Sequence, residues 1–306
     1  MAGRAGYGAK CRTSRPPRPV PRIACALAIG AALAFATGPA RPGPAGETEN
    51  SDPTPASSLV ALLHGEALFA VVAEEGAQYG RAIGQAMFPG ETAPGWDEAV
   101  ARIYAPQALQ ERFEQALNAA LAQRPEVLSE AAAFLGSPLG SQITTLEIDA
   151  RRALLDDATA EAAAVAAERM KETRDPRLRH FDRLAVAGNL VEENTAAALS
   201  GLLAFESGLQ AAADPAMRLT ADELARDIAL REAAVRAQTA DWLGAFMALA
   251  YEGLDDADLD AYATFAESSA GRVLNAALFA AYTAALMPAL HDLGLEAGRV
   301  LNGTPI

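Results

Sequence analysis

Cysteine is almost missing from this chain of 306 residues: Cys11 and Cys25 are the only two, and both sit near the N-terminus. No disulfide framework, thiol nucleophile or cysteine metal site is therefore available to the bulk of the sequence. Histidine is scarce as well, with His64, His180 and His291, and none has a second histidine or a carboxylate at the helical spacing that zinc sites use. His64 lies among leucines and reads as a helix-face residue, and His291 as a cation welcome near a helix end. Alternating β-branched runs and hairpin turns flanked by strands are lacking, so an all-α fold is expected. Phosphate-cradling glycine loops, dinucleotide fingerprints and nucleophile elbows are lacking too. No cofactor and no metal is expected.

Basic residues are in deficit, 25 against 39 acids, for a formal charge of −14. Six of them, Arg4, Lys10, Arg12, Arg15, Arg18 and Arg22, precede an apolar run from Ile23 to Ala36 that ends in Ala34-Phe35-Ala36. A basic start, a short apolar stretch and a small-x-small site describe a secretory signal peptide over residues 1–36. The run is short for a spanning helix, and an uncleaved anchor is the main alternative. Loss of that leader, which holds no acids, takes the charge from −14 to −20. Such a chain is a poor ligand for nucleic acid or anionic lipid. The expected location is periplasmic or secreted, with no membrane span in the mature chain. Residues 37–57, rich in Pro, Gly, Ser and Thr, read as a flexible spacer.

One short pattern organises the rest. Phe134-Leu-Gly-Ser137-Pro138-Leu-Gly140 returns as Phe265-Ala-Glu-Ser268-Ser-Ala-Gly271, 131 residues later. At that offset Leu59-Val60 falls on Leu190-Val191, Leu68 on Leu199, Glu75 on Glu206 and Leu128 on Leu259. The reading is an old duplication: residues 58–173 and 184–306 are two diverged units of about four helices each, joined by a basic linker, 174–183. In the corner itself Gly136 is expected to close one helix in the left-handed conformation. Ser137 then caps the next, with Pro138 in its first turn. Gly140, inside the first turn, lets a neighbouring helix approach closely, and Phe134 and Phe265 plug the corners from the core side. Ser137 and Ser268 are read as caps rather than nucleophiles.

The Phe-x-x-Ser-Pro-x-Gly pattern, carried by Phe134, Ser137, Pro138 and Gly140 and then by Tyr262, Phe265, Ser268 and Gly271, resembles a bacterial domain-of-unknown-function family of exported helical proteins. Ser269 departs from it where proline is usual. The resemblance spans a window of roughly 50–60 residues per copy and implies a fold and a compartment rather than a reaction.

Helices are expected from Ser58 to Met87, from Trp96, from Pro106 to Ala122 and from Pro125. One long helix should run from Pro138 to Lys171, and others over Leu184–Ala212, Thr220–Ala250 and Asp255–Phe265. A last helix should start at Ser268 and bend or break at Pro288. Thr220-Ala-Asp-Glu223 is a capping box. Asp255, Asp256, Asp258 and Asp260 lack the spacing and glycine of a calcium loop and read as acids at a helix start. Arg174, Arg177, Arg179 and Arg183 form one basic cluster, read either as a solvated corner paired with nearby acids or as a docking site for an anionic ligand or acidic partner. The leading functional expectation is a non-catalytic interaction or scaffold module for an envelope protein. The alternative is a carrier or chaperone holding a lipophilic or anionic molecule between the halves, lined by Ala276–Leu286. An enzyme comes third.

Overall fold

A computed structural model describes residues 55–88 and 93–303; the leader and nearly all of the spacer lie outside them. Thirteen α-helices and one 3-10 turn, with no strand, make up the described residues. They are α1 (Pro55–Leu62), α2 (Gly65–Met87), α3 (Trp96–Ile103), α4 (Pro106–Leu121), α5 (Pro125–Leu135), α6 (Pro138–Ala153), α7 (Asp157–Thr173), α8 (Leu178–Ala187), α9 (Leu190–Ala212), α10 (Ala221–Ala229), α11 (Glu232–Ala250), α12 (Asp256–Ala266) and α13 (Ser269–Leu301).

Helix starts follow local chemistry. Pro106, Pro125 and Pro138 occupy first helical positions, where a missing N–H costs nothing. Thr220 and Glu223 form the reciprocal capping box that opens α10.

Helix ends obey other rules. The long apolar stretch from Ser58 is cut at His64, and its counterpart at Asn189; both take the left-handed conformation, with φ of 51° in each case. Each opens a 23-residue helix. His64 is thus a hinge between α1 and α2 rather than a residue on a helix face. His64 and Asn189 are 125 residues apart, six fewer than Phe134 and Phe265. The pairings of Leu59, Leu68 and Glu75 at offset 131 therefore do not match the helix starts in this part of the chain. Gly76 and Gly201, also 125 apart, both lie buried in these two helices.

Five further expectations are corrected. Pro138 to Lys171 is two helices, because Asp156 accepts the amide of Thr159 at 2.9 Å and starts α7 afresh. Thr220 to Ala250 is also two, parted at Leu230–Arg231. Conversely, α13 runs unbroken through Pro288. Pro288 and Ala284, whose carbonyl loses its partner, are both exposed, so that carbonyl lies on the side of the helix that meets water. Consequently His291 lies inside α13, exposed beside Asp292, rather than near a helix end. Seven helices precede Arg174 and six follow it, instead of four on each side.

The axis of the packing is α13, against which α2, α3, α4, α5, α9 and α12 all lie. It is long and apolar enough to cross a membrane by composition, but Leu274, Leu278, Tyr282, Leu286, Leu290 and Leu293 point into the core. α9 runs parallel to it. Asn275 donates to the carbonyl of Gly188 at one end and Asn302 to that of Ala212 at the other, both at 2.7 Å. Between these bonds the two backbones touch: a Cβ on Gly208 would sit 1.9 Å from the carbonyl oxygen of His291, and one on Gly294 equally close to that of Phe205.

Candidate functional site

The repeated corners adopt one geometry. Ser137 accepts the amide of Gly140 at 3.0 Å, and Ser268 that of Gly271 at 2.9 Å. Ser137 and Ser268 in turn donate their own amides to Phe134 and Phe265, both at 2.7 Å. A Cβ on either Gly140 or Gly271 would fall 2.1 Å from that same phenylalanine carbonyl. Glycine is required because each corner folds back on the end of its own preceding helix. Gly136, by contrast, is right-handed, with φ −79° and ψ −6°, not left-handed as expected. Glu267 takes nearly the same angles, which explains how glutamate replaces glycine there. Phe134 and Phe265 are buried and stack on each other, centroids 5.7 Å apart and planes at 14°. The two corners meet at these rings.

The arginine cluster is largely engaged. Arg177 clamps Asp175 at 3.2 and 3.1 Å. Arg183 reaches Asp260 at 2.6 Å and Glu267 with both remaining nitrogens at 2.8 Å. These contacts draw Glu267 and Asp175 below the usual carboxylate range. Arg174, the left-handed residue ending α7, and Arg179 on α8 are exposed and form no ion pair with a described residue. Helix α8 begins at Leu178, so only residues 174–177 stand outside helices here. Among the four aspartates, Asp255 caps α12 by accepting the amides of Ala257 and Asp258, and Asp260 holds Arg183. No group of acids, histidines or cysteines among the described residues is arranged to hold a metal. His180 is buried on α8 with neither ring nitrogen hydrogen-bonded, its Nε2 3.9 Å from Asp256.

What sequence reasoning missed is a polar centre inside the core. Glu147 and Arg151 lie one turn apart on α6, on the same face as Ile143 and Ile148. Arg151 meets Glu75 of α2 fork to fork, at 3.0 and 2.6 Å. Glu147 accepts hydrogen bonds from Tyr251, at the end of α11, at 2.7 Å and from Tyr262 on α12 at 2.5 Å. Burial raises Glu147 to about 8, against the pull of Tyr262, Tyr251 and Arg151. Burial pushes Glu75 up against Arg151, whereas for Arg151 the loss of water is outweighed by Glu75, Tyr282 and Glu147, which push it up. Those directions oppose each other on one bond. The bidentate geometry decides for an ion pair, since a neutral Glu75 would leave a cation alone in the core. The visible signal was a pair of charges in an apolar stripe of α6; the partners lie 76 to 115 residues away in sequence.

On the surface, α1, α2 and α4 enclose a groove of about 710 Å³. It is lined by Val60, Ala61, Gly65, Ala67 and Ala70 and by Ser57, His64, Glu66, Gln110 and Glu114, with Ser57 hydrogen-bonded to Glu114. Much of the stretch Ala276–Leu286 is buried in the core. Tyr282 packs 4.7 Å from Phe113 and 6.2 Å from Phe69, and Leu278, Phe279 and Leu286 are buried.

Comparison of the chain with protein-family models, with curated proteins and with solved structures finds no match.

Proposed function

We propose that this protein is an exported, non-catalytic helical interaction module that seats a segment of a partner protein in the groove between α1, α2 and α4. One observation carries the reading: a groove, open to solvent, whose lining mixes small apolar residues with hydrogen-bonding side chains. That combination suits a peptide segment, whose side chains need an apolar seat and whose backbone needs donors and acceptors. The acids whose proton affinity burial raises, Glu75 and Glu147, lie in the core instead, hydrogen-bonded to protein groups. The carrier alternative draws less support, because most of Ala276–Leu286, Leu278, Phe279, Tyr282 and Leu286 included, is buried in the core. Export rests on the basic leader and its apolar run.

We also read the two halves as diverged copies of one helical unit. The support is the pair of matching corners, the stacked Phe134 and Phe265, and the left-handed His64 and Asn189 ahead of helices of equal length.

The test is site-specific photo-crosslinking in the envelope of the native host, from Ala61 and Ala67 in the groove and from Ala162 on the exposed face of α7. A defined protein adduct from the groove positions alone, abolished by Ala67→Trp, is the expected result. Adducts from all three positions alike would overturn the proposed seat. A co-purifying mass of a few hundred daltons in native mass spectrometry would favour the carrier.

A further inference from the structure

The seam between α9 and α13 closes at its far end on one asparagine. Asn302 caps the C-terminus of α13, and its side-chain amide reaches the carbonyl of Ala212, the last residue of α9, at 2.7 Å. The last carbonyls of a helix have no partner within it. Here Arg218 serves those of Ala211 and Ala213, at 2.9 and 3.1 Å, and Asn302 serves the one between them. A carbonyl only accepts, so it is the NH2 side of the Asn302 amide that faces Ala212.

The next residue is Gly303. It is exposed, takes a φ of 70°, and a Cβ built on it would meet nothing within 4 Å. A glycine after an asparagine leaves the approach of its own nitrogen to the asparagine side chain unobstructed. The other asparagines among the described residues have no such neighbour. Asn118, Asn194 and Asn275 lie inside α4, α9 and α13, and Asn189 opens α9. They are followed by Ala119, Thr195, Ala276 and Leu190.

We propose that Asn302 is a site of spontaneous deamidation, and that its conversion unfastens the end of α13 from α9. The inference does not depend on the groove or on any partner. The backbone nitrogen of Gly303 attacks the side-chain carbonyl carbon of Asn302 and closes a cyclic imide. The C–N bond of the side-chain amide breaks, and its NH2 leaves as ammonia with the proton given up by Gly303. Water then opens the imide at either carbonyl, leaving aspartate or isoaspartate. In the folded chain Gly303 donates its N–H to Val300 at 3.0 Å, so the reaction waits on fraying of this last turn. Either product puts a carboxylate where a donor was, acceptor against the acceptor of Ala212. Because α9 and α13 run parallel, that charge also lies at the C-terminal ends of both, where an anion is unfavourable. Arg218, which flanks the site, is already shared between two carbonyls, and the carboxylate competes with them for it. Arg299 is paired with Glu296.

The experiment uses the full chain, aged in mildly alkaline buffer both folded and in urea, then digested and mapped by mass spectrometry. In the folded samples the peptide holding Asn302 should exchange NH2 for OH ahead of every other asparagine, as aspartate and isoaspartate, and Asn302→Gln should abolish this conversion. Hydrogen exchange in the last turn of α13 should quicken roughly three- to tenfold in Asn302→Asp, the worth of one hydrogen bond, with α7 unchanged. Absence of conversion in the folded chain over the time in which the urea-unfolded chain converts, or equal conversion at the other asparagines, would overturn the modification site. Exchange in Asn302→Asp that matches wild type would overturn the unfastening.

Discussion

Replacing Arg151 by methionine isolates what the buried guanidinium does for Glu75. The substitution keeps an apolar body of similar length but leaves Glu75 facing no cation, with under 5% of its surface exposed. Breaking a buried pair from one side costs about 3–5 kcal/mol. The mechanism predicts how that cost varies with pH. Without Arg151, Glu75 stays in the core only as the neutral acid. Taking a proton against its ordinary 4.5 costs roughly 3.5 kcal/mol at pH 7 and under about 1 kcal/mol at pH 5. Chemical denaturation followed by circular dichroism at both pH values should thus give a destabilisation about 2.5 kcal/mol larger at pH 7. Adding Glu75→Met to Arg151→Met should restore most of the loss, because two apolar side chains then replace a desolvated pair. Equal losses at pH 5 and pH 7, or a loss below about 1 kcal/mol at pH 7, would refute the ion-pair assignment.

Other outcomes follow from the corners and hinges. Gly140→Ala and Gly271→Ala should each cost about 2–3 kcal/mol in urea unfolding, since a methyl would press on a carbonyl oxygen 2.1 Å away. Gly136→Ala, at right-handed angles, should stay within about 1 kcal/mol of wild type; a loss as large as that at Gly140 would show that the corner needs a left-handed residue. Ser137→Ala and Ser268→Ala should each remove about 1 kcal/mol, measured the same way. Asn189→Gly should stabilise by about 0.5–1 kcal/mol, because it removes the steric cost of a left-handed side-chain-bearing residue, and an unchanged or lower midpoint would contradict this.

Sequence legibility divided along the range of the forces involved. Ser137, Thr220 and Ser268 could be read as helix starts because a cap is a bond between residues three apart. The hinges at His64 and Asn189 could not, since neither is glycine and their left-handed turns are held by the packing of the helices on either side. Pro288 misled for a related reason: whether a proline breaks a helix depends on which side meets water, and that is settled by α9 and α4 pressing on α13. The arginine cluster was visible, but its neutralisation by Asp260 and Glu267 was not, because those acids lie 77 and 84 residues away. Glu147 and Arg151 were in plain sight on an apolar stripe. Only the arrival of Glu75, Tyr251 and Tyr262 distinguishes them from surface charges.

The placement of α13 also bears on how the chain is made. It is the last of the described helices, yet α4 and α9 both rest on it, and Phe113 and Phe69 are covered by its Tyr282. During synthesis those rings lack this cover until α13 emerges. Completion of the core therefore waits for α13, and apolar helix faces left uncovered in the meantime are prone to aggregation. A truncation that removes α13 should leave a chain that associates rather than a smaller folded protein.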